Sequence, residues 1–257
     1  MALTGGNASH KGEVRDKVWK ELRKVAYPDS RFHFDFSSFI ADFEDSQKAA
    51  NRLLSLASYR ECSTVFITPD NCLEYLREQT LQAGTKVLMT TYGIRRGFWL
   101  LDPATIDETL YKYASTLDGM EKIGRHVSLA DIVQLKLDVG FMVTGTGAIN
   151  HRGIRFGKGH GFFDLEWGLL FSTAVVRGDT MTAALVHECQ VLDEELRPEE
   201  FDTICDLVIT PTRVLEAGAV EKPTCGILWD RLEVGMLEDI PPLQELRTMK
   251  VAGSTGI

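Results

Sequence analysis

Residues 153–164 read Gly-Ile-Arg-Phe-Gly-Lys-Gly-His-Gly-Phe-Phe-Asp, with one arginine, one lysine, one histidine and a single acid at the end. From Gly157 to Gly161 every second residue is a glycine. Such spacing lets backbone N–H groups converge on anionic oxygens. Arg155 and Lys158 add positive charge to the loop. The stretch predicts an anion-binding loop.

Asp164 predicts the start of a helix over residues 165–173, whose first N–H groups would face the same loop. A flexible basic turn between two elements has the same composition. The stretch matches neither G-x-x-x-x-G-K-[ST] nor G-x-G-x-x-G after a strand. Taken alone, it leaves an anion site and a plain turn equally open.

The composition of the whole chain limits its function. The 257 residues are 44% hydrophobic and 25% charged, with a net charge of −9, which is typical of a globular protein with a full core. An acidic surface argues against binding to nucleic acid or to anionic membranes. A small basic pocket for a phosphorylated or carboxylated ligand is compatible with this charge.

The N-terminus lacks a signal-peptide core, and no apolar run approaches the roughly 18 residues of a membrane span. The five cysteines form no C-x-x-C pair, so we expect reduced thiols. We therefore expect a cytoplasmic protein without a membrane segment, either a monomer or a homodimer.

Hydrophobic periodicity predicts an α/β fold. Residues 11–26 have helical spacing, and residues 63–91 read as strand, helix and strand, the βαβ unit of a parallel sheet. Asp70 would follow the first of these strands, at the sheet edge where ligands bind. Further strands are predicted at 135–144, 182–187 and 207–210, and helices at 42–57, 106–114 and 243–249. We expect one domain over residues 11–246, between tails at 1–10 and 247–257.

Several other side chains could carry chemistry. Phe43, Phe98 and Trp99 could stack on a flat ring, although core packing is the commoner role of such residues. His187 and Glu188 could bind a metal or transfer protons, or simply make structural hydrogen bonds. Cys189 could act as a nucleophile beside His187 if both lie on one strand.

Three motifs in order resemble the 5-formyltetrahydrofolate cyclo-ligase (methenyltetrahydrofolate synthetase) family. Its hallmark loop, G-x-R-L-G-R-G-G-G-Y-Y-D, corresponds to residues 153–164, and its Lys-x-x-x-Arg helix corresponds to Lys11 and Arg15. Its Gln and P-x-x-x-D segment correspond to Gln190 and residues 198–202. The stretches 157–166, 187–193 and 210–214 are similar to the divergent methenyltetrahydrofolate synthetase domain-containing branch.

The resemblance implies a three-layer α/β/α fold with a mostly parallel sheet, related to the ribose-5-phosphate isomerase and CoA-transferase group. It implies closure of 5-formyltetrahydrofolate to 5,10-methenyltetrahydrofolate with MgATP, in which ATP activates the formyl oxygen as a leaving group. Phosphoryl transfer requires mainly positioning and charge neutralisation.

The resemblance also implies roles for individual residues. The triphosphate would be held by Lys11, Arg15, Arg155, Gly157, Lys158, Gly159 and Gly161. Mg²⁺ would be held by Asp164 and Asp202, which supply hard oxygen ligands. The folate would contact Asp70, Phe162 and Phe163.

The chain departs from the family pattern at three places. Lys158 replaces an arginine and loses its bidentate fork, and Phe162 and Phe163 lack the hydroxyls of the tyrosine pair. His160 replaces a glycine and could act as acid, base or donor together with Arg155 and Lys158, or could merely be tolerated in the loop.

Two alternatives to the cyclo-ligase therefore remain open. One is an ATP-independent hydrolase or isomerase of a small carboxylated nitrogen compound, with His160 and Asp70 or Asp164 transferring protons. The other is a non-catalytic protein that retains the pocket to sense a ligand.

Overall fold

The computed structural model describes the backbone of residues 5–218 and 221–254 and the side chains of residues 12–218 and 221–249. The helices are α1 (Gly5–Leu22), α2 (Ser46–Ser55), α3 (Ala57–Arg60), α4 (Glu74–Gln82), α5 (Tyr111–Ala114), α6 (Leu117–Ile123), α7 (Leu129–Gln134), α8 (Phe162–Ser172), α9 (Met236–Asp239) and α10 (Pro241–Ser254). The strands are β1 (Thr64–Ile67), β2 (Lys86–Thr90), β3 (Phe98–Leu101), β4 (Arg125–Val127), β5 (Val139–Thr144), β6 (Ala148–Asn150), β7 (Arg155–Phe156), β8 (Met181–Leu185), β9 (Val191–Leu192), β10 (Leu207–Ile209) and β11 (Val214–Glu216).

A mixed sheet of eight strands forms the middle layer, in the order β11-β10-β8-β5-β1-β2-β3-β4. The five central strands from β10 to β2 run parallel, and β11, β3 and β4 add antiparallel edges. The central strands are almost continuously apolar, as expected when both faces of a parallel sheet are covered. The predicted βαβ unit is confirmed, because β1 and β2 are parallel neighbours.

Alternate strand residues separate the core into two layers. Val65 and Ile67 of β1 pack in one cluster with α2, α4, α5 and α6, whereas Phe66 packs in another with α7, α8 and α10. This division follows from the two-residue period of a strand. The fold is therefore the expected three-layer α/β/α arrangement.

A small second sheet, in the order β7-β6-β9, lies beside the main sheet. Ile149 of β6 packs with Ala184 and Val208 of the main sheet, and Ala148 packs with Val14 and Val18 of α1. These contacts fix β7, which leads directly into residues 157–161, here called the glycine-rich loop.

The structure differs from the predicted elements mainly between residues 92 and 138. Two antiparallel strands, β3 and β4, lie on either side of the helix predicted over 106–114, where no strand is predicted. The strand predicted over 135–144 begins only at Val139, because a Ser128–Asp131 capping box starts helix α7 before it.

Three helix ends also differ from the prediction. Helix α8 begins at Phe162, since Gly161 adopts a left-handed conformation before it, and Asp164 therefore lies in the first turn. Helix α1 begins at Gly5, inside the predicted N-terminal tail, and α10 continues to Ser254, inside the predicted C-terminal tail. Within the described ranges, no helix combines the length and apolar character that a membrane span requires.

The turn before β7 should tolerate no side chain at Gly153. This glycine has a φ of 73°, and a Cβ atom there would lie 1.9 Å from the carbonyl oxygen of Cys205. We expect Gly153→Ala to lower the free energy of unfolding by about 2 kcal/mol or more. Urea denaturation measures this change.

Gly178→Ala is the matched control, because a Cβ atom at Gly178 meets no described atom within 4 Å. Equal stability of the two variants would contradict the close packing of this turn against Cys205.

Candidate functional site

A cleft with a cavity volume of about 220 Å³ opens at the carboxyl ends of β1, β2 and β5. Its lining includes residues 68–70 after β1, residues 91–93 after β2, and residues 144–145 at the end of β5. β1 has β2 on one side and β5 on the other, so the strand order reverses at this point. Open α/β sheets bind ligands at such a reversal.

The cleft brings the predicted site residues together. Its basic and glycine lining includes Arg15, Arg155, Gly157, Lys158, Gly159 and Gly161. The other predicted site residues that line the cleft are Asp70, His160, Phe162, Phe163, Asp164 and Asp202. Lys11 lies on α1, but its side chain falls outside the described part of the chain.

Asp70 forms part of the floor and joins two strand ends. Its Oδ2 accepts hydrogen bonds from the hydroxyl of Thr68 at 2.6 Å and from the backbone N–H of Gly145 at 2.8 Å. The buried guanidinium of Arg77 donates to the carbonyl oxygens of Thr68 and Asp70. These hydrogen bonds satisfy backbone N–H and carbonyl groups that have no partner strand beyond the ends of β1 and β5.

The glycine-rich loop depends on its glycines. Gly159 and Gly161 have φ angles of 112° and 65°, which L-residues with side chains rarely adopt. A Cβ atom at Gly159 would lie 3.6 Å from Nη1 of Arg15. The loop therefore brings backbone N–H groups, the start of α8 and the Arg15 guanidinium to the same cleft.

Arg155 and Asp164 form a buried ion pair. Nη2 of Arg155 lies 2.5 Å from Oδ1 of Asp164, and the two side chains are only 7% and 11% exposed. The guanidinium also lies over the ring of Phe163, with its central carbon 4.5 Å from the ring centroid. The backbone N–H of Thr203 donates a second bond to Oδ1. Arg155 thus neutralises and orients Asp164.

The carboxylates fit a magnesium site of the kind that also uses phosphate oxygens. Among the described residues, the hydrogen bonds to Asp164 from Arg155 and Thr203 end on Oδ1, and Oδ2 lies beside Gly161. Asp202 lines the same cleft, and its Oδ2 accepts from the backbone N–H of Glu199. Within the described residues no group of three acidic, histidine or cysteine side chains could hold a metal ion alone. Mg²⁺ commonly uses one or two carboxylates with substrate phosphates.

Lys158 extends from the loop into a partly apolar environment. Its Nζ donates to the carbonyl oxygen of Ser38 at 3.3 Å and lies 5.0 Å from the ring centroid of Tyr92. Burial lowers the pKa of this ammonium group, and the negative charges of Asp70 and Glu166 oppose that shift. A phosphate would replace these weak contacts with a full opposite charge.

His160 lies at the exposed side of the loop. Its ring is 5.5 Å from the ring of Phe162, centroid to centroid, at an interplanar angle of 30°. Phe162 is half-buried, whereas Phe163 is buried under Arg155. The two phenylalanines thus have different positions, and Phe162 is the one that presents its ring beside His160.

Sequence reasoning missed Glu166 as a site residue. This glutamate lines the cleft, is only 2% exposed and accepts a short hydrogen bond from the hydroxyl of Thr90. Burial raises the pKa of its carboxyl group to about 8, and the hydrogen bond from Thr90 opposes the shift. An acid on the otherwise apolar buried face of α8 was the signal that could have identified it.

The apolar wall of the cleft was also missed. It is the segment of residues 226–236, which includes Ile227, Leu228, Leu232 and Met236. These residues lie about 70 positions after the glycine-rich loop in the sequence, and no spacing rule connects the two.

The other candidate residues pack in the core or make local hydrogen bonds. Phe43 and Phe98 are fully buried core residues, and Trp99 packs at the edge of the core. Nδ1 of His187 accepts from the backbone N–H of Cys189, and Glu188 accepts from Thr212. Burial raises the pKa of Cys189 to about 11, which opposes formation of a nucleophilic thiolate.

Comparison with known proteins relates the chain to one family. The sequence pattern of the 5-formyltetrahydrofolate cyclo-ligase family matches residues 7–211. Curated relatives include the methenyltetrahydrofolate synthase domain-containing proteins of Danio rerio, 32% identical over 246 residues, and Homo sapiens, 30% identical over 241 residues. The alignments cover 93% and 92% of this chain but 62% and 61% of those relatives, so the chain spans about three fifths of their length.

A solved structure shows the same fold. The NMR structure of Aquifex aeolicus 5,10-methenyltetrahydrofolate synthetase superposes with a TM-score of 0.50 at 18% sequence identity. The superposition covers 82% of this chain and 95% of that protein.

The ion pair generates a stability prediction. Arg155→Met would leave the buried Asp164 carboxylate without its compensating charge, which costs about 3 kcal/mol of unfolding free energy. Arg152→Met is the matched control, because Arg152 pairs with Glu195 on the surface, where both side chains are more than half exposed. Exposed pairs contribute about 0–1 kcal/mol. A similar small loss in both variants, measured by urea denaturation, would show that the Arg155 pair is not structural.

Glu166 predicts a pH dependence of stability. Its pKa is about 8 in the folded protein and 4.5 in the unfolded chain, so between these values the folded state holds a proton that the unfolded state has lost. The free energy of unfolding should then fall with rising pH in this window, by up to about 1.4 kcal/mol per pH unit from this group.

Glu166→Gln removes this titration, so the variant should gain stability relative to wild type as the pH rises from about 5 to about 8. Denaturation midpoints across this range measure the difference between the two proteins. Parallel curves would contradict the burial of an ionisable Glu166.

Proposed function

This chain belongs to the 5-formyltetrahydrofolate cyclo-ligase family, and we propose that it closes 5-formyltetrahydrofolate, or a related formamide, to the 5,10-methenyl form with ATP and Mg²⁺. The observation that carries the proposal is the convergence on one cleft of the glycine-rich loop, its basic side chains and the carboxylates Asp164 and Asp202. Triphosphate and magnesium together need such a combination.

The basic side of the cleft would bind the phosphates. Lys158 and Arg15 supply positive charge, and Gly157, Gly159 and Gly161 supply unobstructed backbone N–H groups. Arg155 lies behind this surface in its pair with Asp164, so its contribution to phosphate binding would be mainly a long-range field. Lys11, one helical turn before Arg15, completes the proposed set.

Asp164 and Asp202 would hold Mg²⁺ through carboxylate oxygens, with Asp164 oriented by Arg155. When bound, MgATP supplies the phosphoryl group that turns the formyl oxygen into a leaving group. The protein's own contribution is to position the reacting groups and to neutralise charge, since the proposed reaction needs no protein nucleophile.

The remaining predicted residues would serve the organic substrate. Phe162 offers a ring face, and Asp70 offers an oxygen at the floor of the cleft. His160, beside Phe162 at the exposed side, could exchange a proton with the formyl group or donate a hydrogen bond to a phosphate.

Titration calorimetry with MgATP, followed by 5-formyltetrahydrofolate, tests the function. Binding of both, with release of ADP and growth of the methenyl absorbance, would support the proposal. Turnover of the formamide without ATP would instead favour a hydrolase or isomerase. Binding of ligands without turnover would favour a sensor.

Lys158→Ala should weaken MgATP binding at least about tenfold, because it removes a cation from the proposed phosphate site. The variant should stay within about 1 kcal/mol of wild-type stability, since the hydrogen bond that the ammonium group makes within the described residues is long. Calorimetry measures the affinity, and Lys122→Ala, an exposed change on α6 outside the cleft, is the control. Unchanged MgATP affinity would remove Lys158 from the phosphate site.

A further inference from the structure

Arg231 is a cation of the cleft to which the proposed function gives no role. It lines the cleft from a single turn of 3₁₀ helix, Trp229–Arg231, and its side chain is 57% exposed. The family pattern ends at residue 211, so no motif of the family assigns this arginine to the site. Its presence at the cleft follows from the fold of the C-terminal part of the chain.

The segment that carries Arg231 is held to the domain on both sides. Before the 3₁₀ turn, the indole N–H of Trp167 donates to the carbonyl oxygen of Pro223 at 2.8 Å. After the turn, Ile240 and Leu243 are buried in the core layer that contains α7 and α8. The backbone on either side of Arg231 is therefore fixed, and the arginine has a defined place at the cleft.

The guanidinium of Arg231 lies near two carboxylates without a close contact to either. Its Nη2 is 3.8 Å from Oε1 of Glu200, and its Nε is 3.9 Å from Oδ2 of Asp230. Both distances exceed the length of an N–H···O hydrogen bond. Since both acids are more than half exposed, such pairs contribute little to stability. A bound anion can therefore replace them at small cost.

The charge balance of the cleft gives this cation a purpose. Among the described residues, six acidic side chains line the cleft, against four lysine or arginine side chains. One of the four, Arg155, is already neutralised by Asp164. A triphosphate would therefore meet a surplus of negative charge unless every remaining cation of the cleft contributes to its binding.

The neighbourhood of Arg231 indicates which anion it meets. Glu200 belongs to the turn in which the backbone N–H of Asp202 donates to the carbonyl oxygen of Glu199 at 3.0 Å. Asp202 is a proposed magnesium ligand, and Mg²⁺ joins carboxylates to nucleotide phosphates. A guanidinium beside this turn is therefore placed for a phosphate, and its planar fork can donate two hydrogen bonds to one phosphate group.

We propose that Arg231 is a further nucleotide-binding residue, whose guanidinium leaves Glu200 and binds a phosphate of MgATP beside the metal. This inference rests on the proposed function, in which MgATP occupies the cleft. The cations of α1 and of the glycine-rich loop, Arg15 and Lys158, would then be supplemented by one from the C-terminal segment.

Arg231→Met should weaken MgATP binding at least about tenfold, measured by calorimetry on the full chain. Binding of 5-formyltetrahydrofolate without nucleotide should stay within about twofold of wild type. The denaturation midpoint should not change, because the side chain is more than half exposed. Arg247→Met is the matched control, since Arg247 is exposed on α10 outside the cleft, and it should leave both affinities unchanged.

Two more variants separate direct contact from a structural role, in which Arg231 would act only through its pair with Glu200. Glu200→Gln should keep or increase the MgATP affinity, because it removes a negative charge that competes with the phosphate. Arg231→Lys should lose less affinity than Arg231→Met, because it keeps the charge without the fork. If Glu200→Gln weakens MgATP binding as much as Arg231→Met does, the arginine is structural and the inference is wrong.

The remaining outcomes overturn the inference in distinguishable ways. If wild type binds MgATP and Arg231→Met binds it equally well, only the role of Arg231 is wrong. If Arg231→Met loses affinity for 5-formyltetrahydrofolate alone, the arginine contacts a carboxylate of the organic substrate instead of a phosphate. If wild type binds no MgATP, the proposed function fails together with this inference.

Discussion

The hydrogen bond from the backbone N–H of Gly145 to Oδ2 of Asp70 is the contact on which the cleft depends. It joins the segments that follow β1 and β5, at the point where the strand order of the sheet reverses and the two segments separate. Glycine is required there, because a Cβ atom would lie 2.6 Å from Ile40 and 2.9 Å from Cys72. The buried Arg77 secures the carbonyl oxygens beside it. The cleft thus has a polar floor at the end of an apolar sheet, and the backbone groups of that floor have hydrogen-bond partners.

The basic residues at the cleft have two different roles. Arg155 points inward, where its pair with Asp164 fixes a carboxylate at the start of α8. Lys158 and Arg15 line the cleft, so they provide the local positive field of a protein whose net charge is −9. An arginine suits the inward role, since its planar guanidinium can pair with a carboxylate and lie on the Phe163 ring at the same time.

The cleft combines a polar and an apolar surface from distant parts of the chain, which is what the proposed phosphate and heterocycle would require. The glycine-rich loop and the first turn of α8 contribute backbone donors, while the segment 226–236 contributes an apolar wall. Glu166 is a buried acid on α8 that also lines the cleft. One helix thus carries Asp164, which faces the proposed metal, and Glu166, which is buried two residues further along.

The sequence by itself determined the family, the parallel βαβ unit, and the basic loop and aspartates that line the cleft, because glycine spacing, strand periodicity and local charge are short-range properties. It did not reveal β3, which pairs with β2, or the edge strand β4, which pairs with β3, because both pairings are decided by the assembled sheet. Only the tertiary structure decided that Arg155 faces Asp164 and that Glu166 is buried in the cleft. Burial and pairing depend on elements far apart in the chain, and residues 226–236 have no local signal that marks them as its wall.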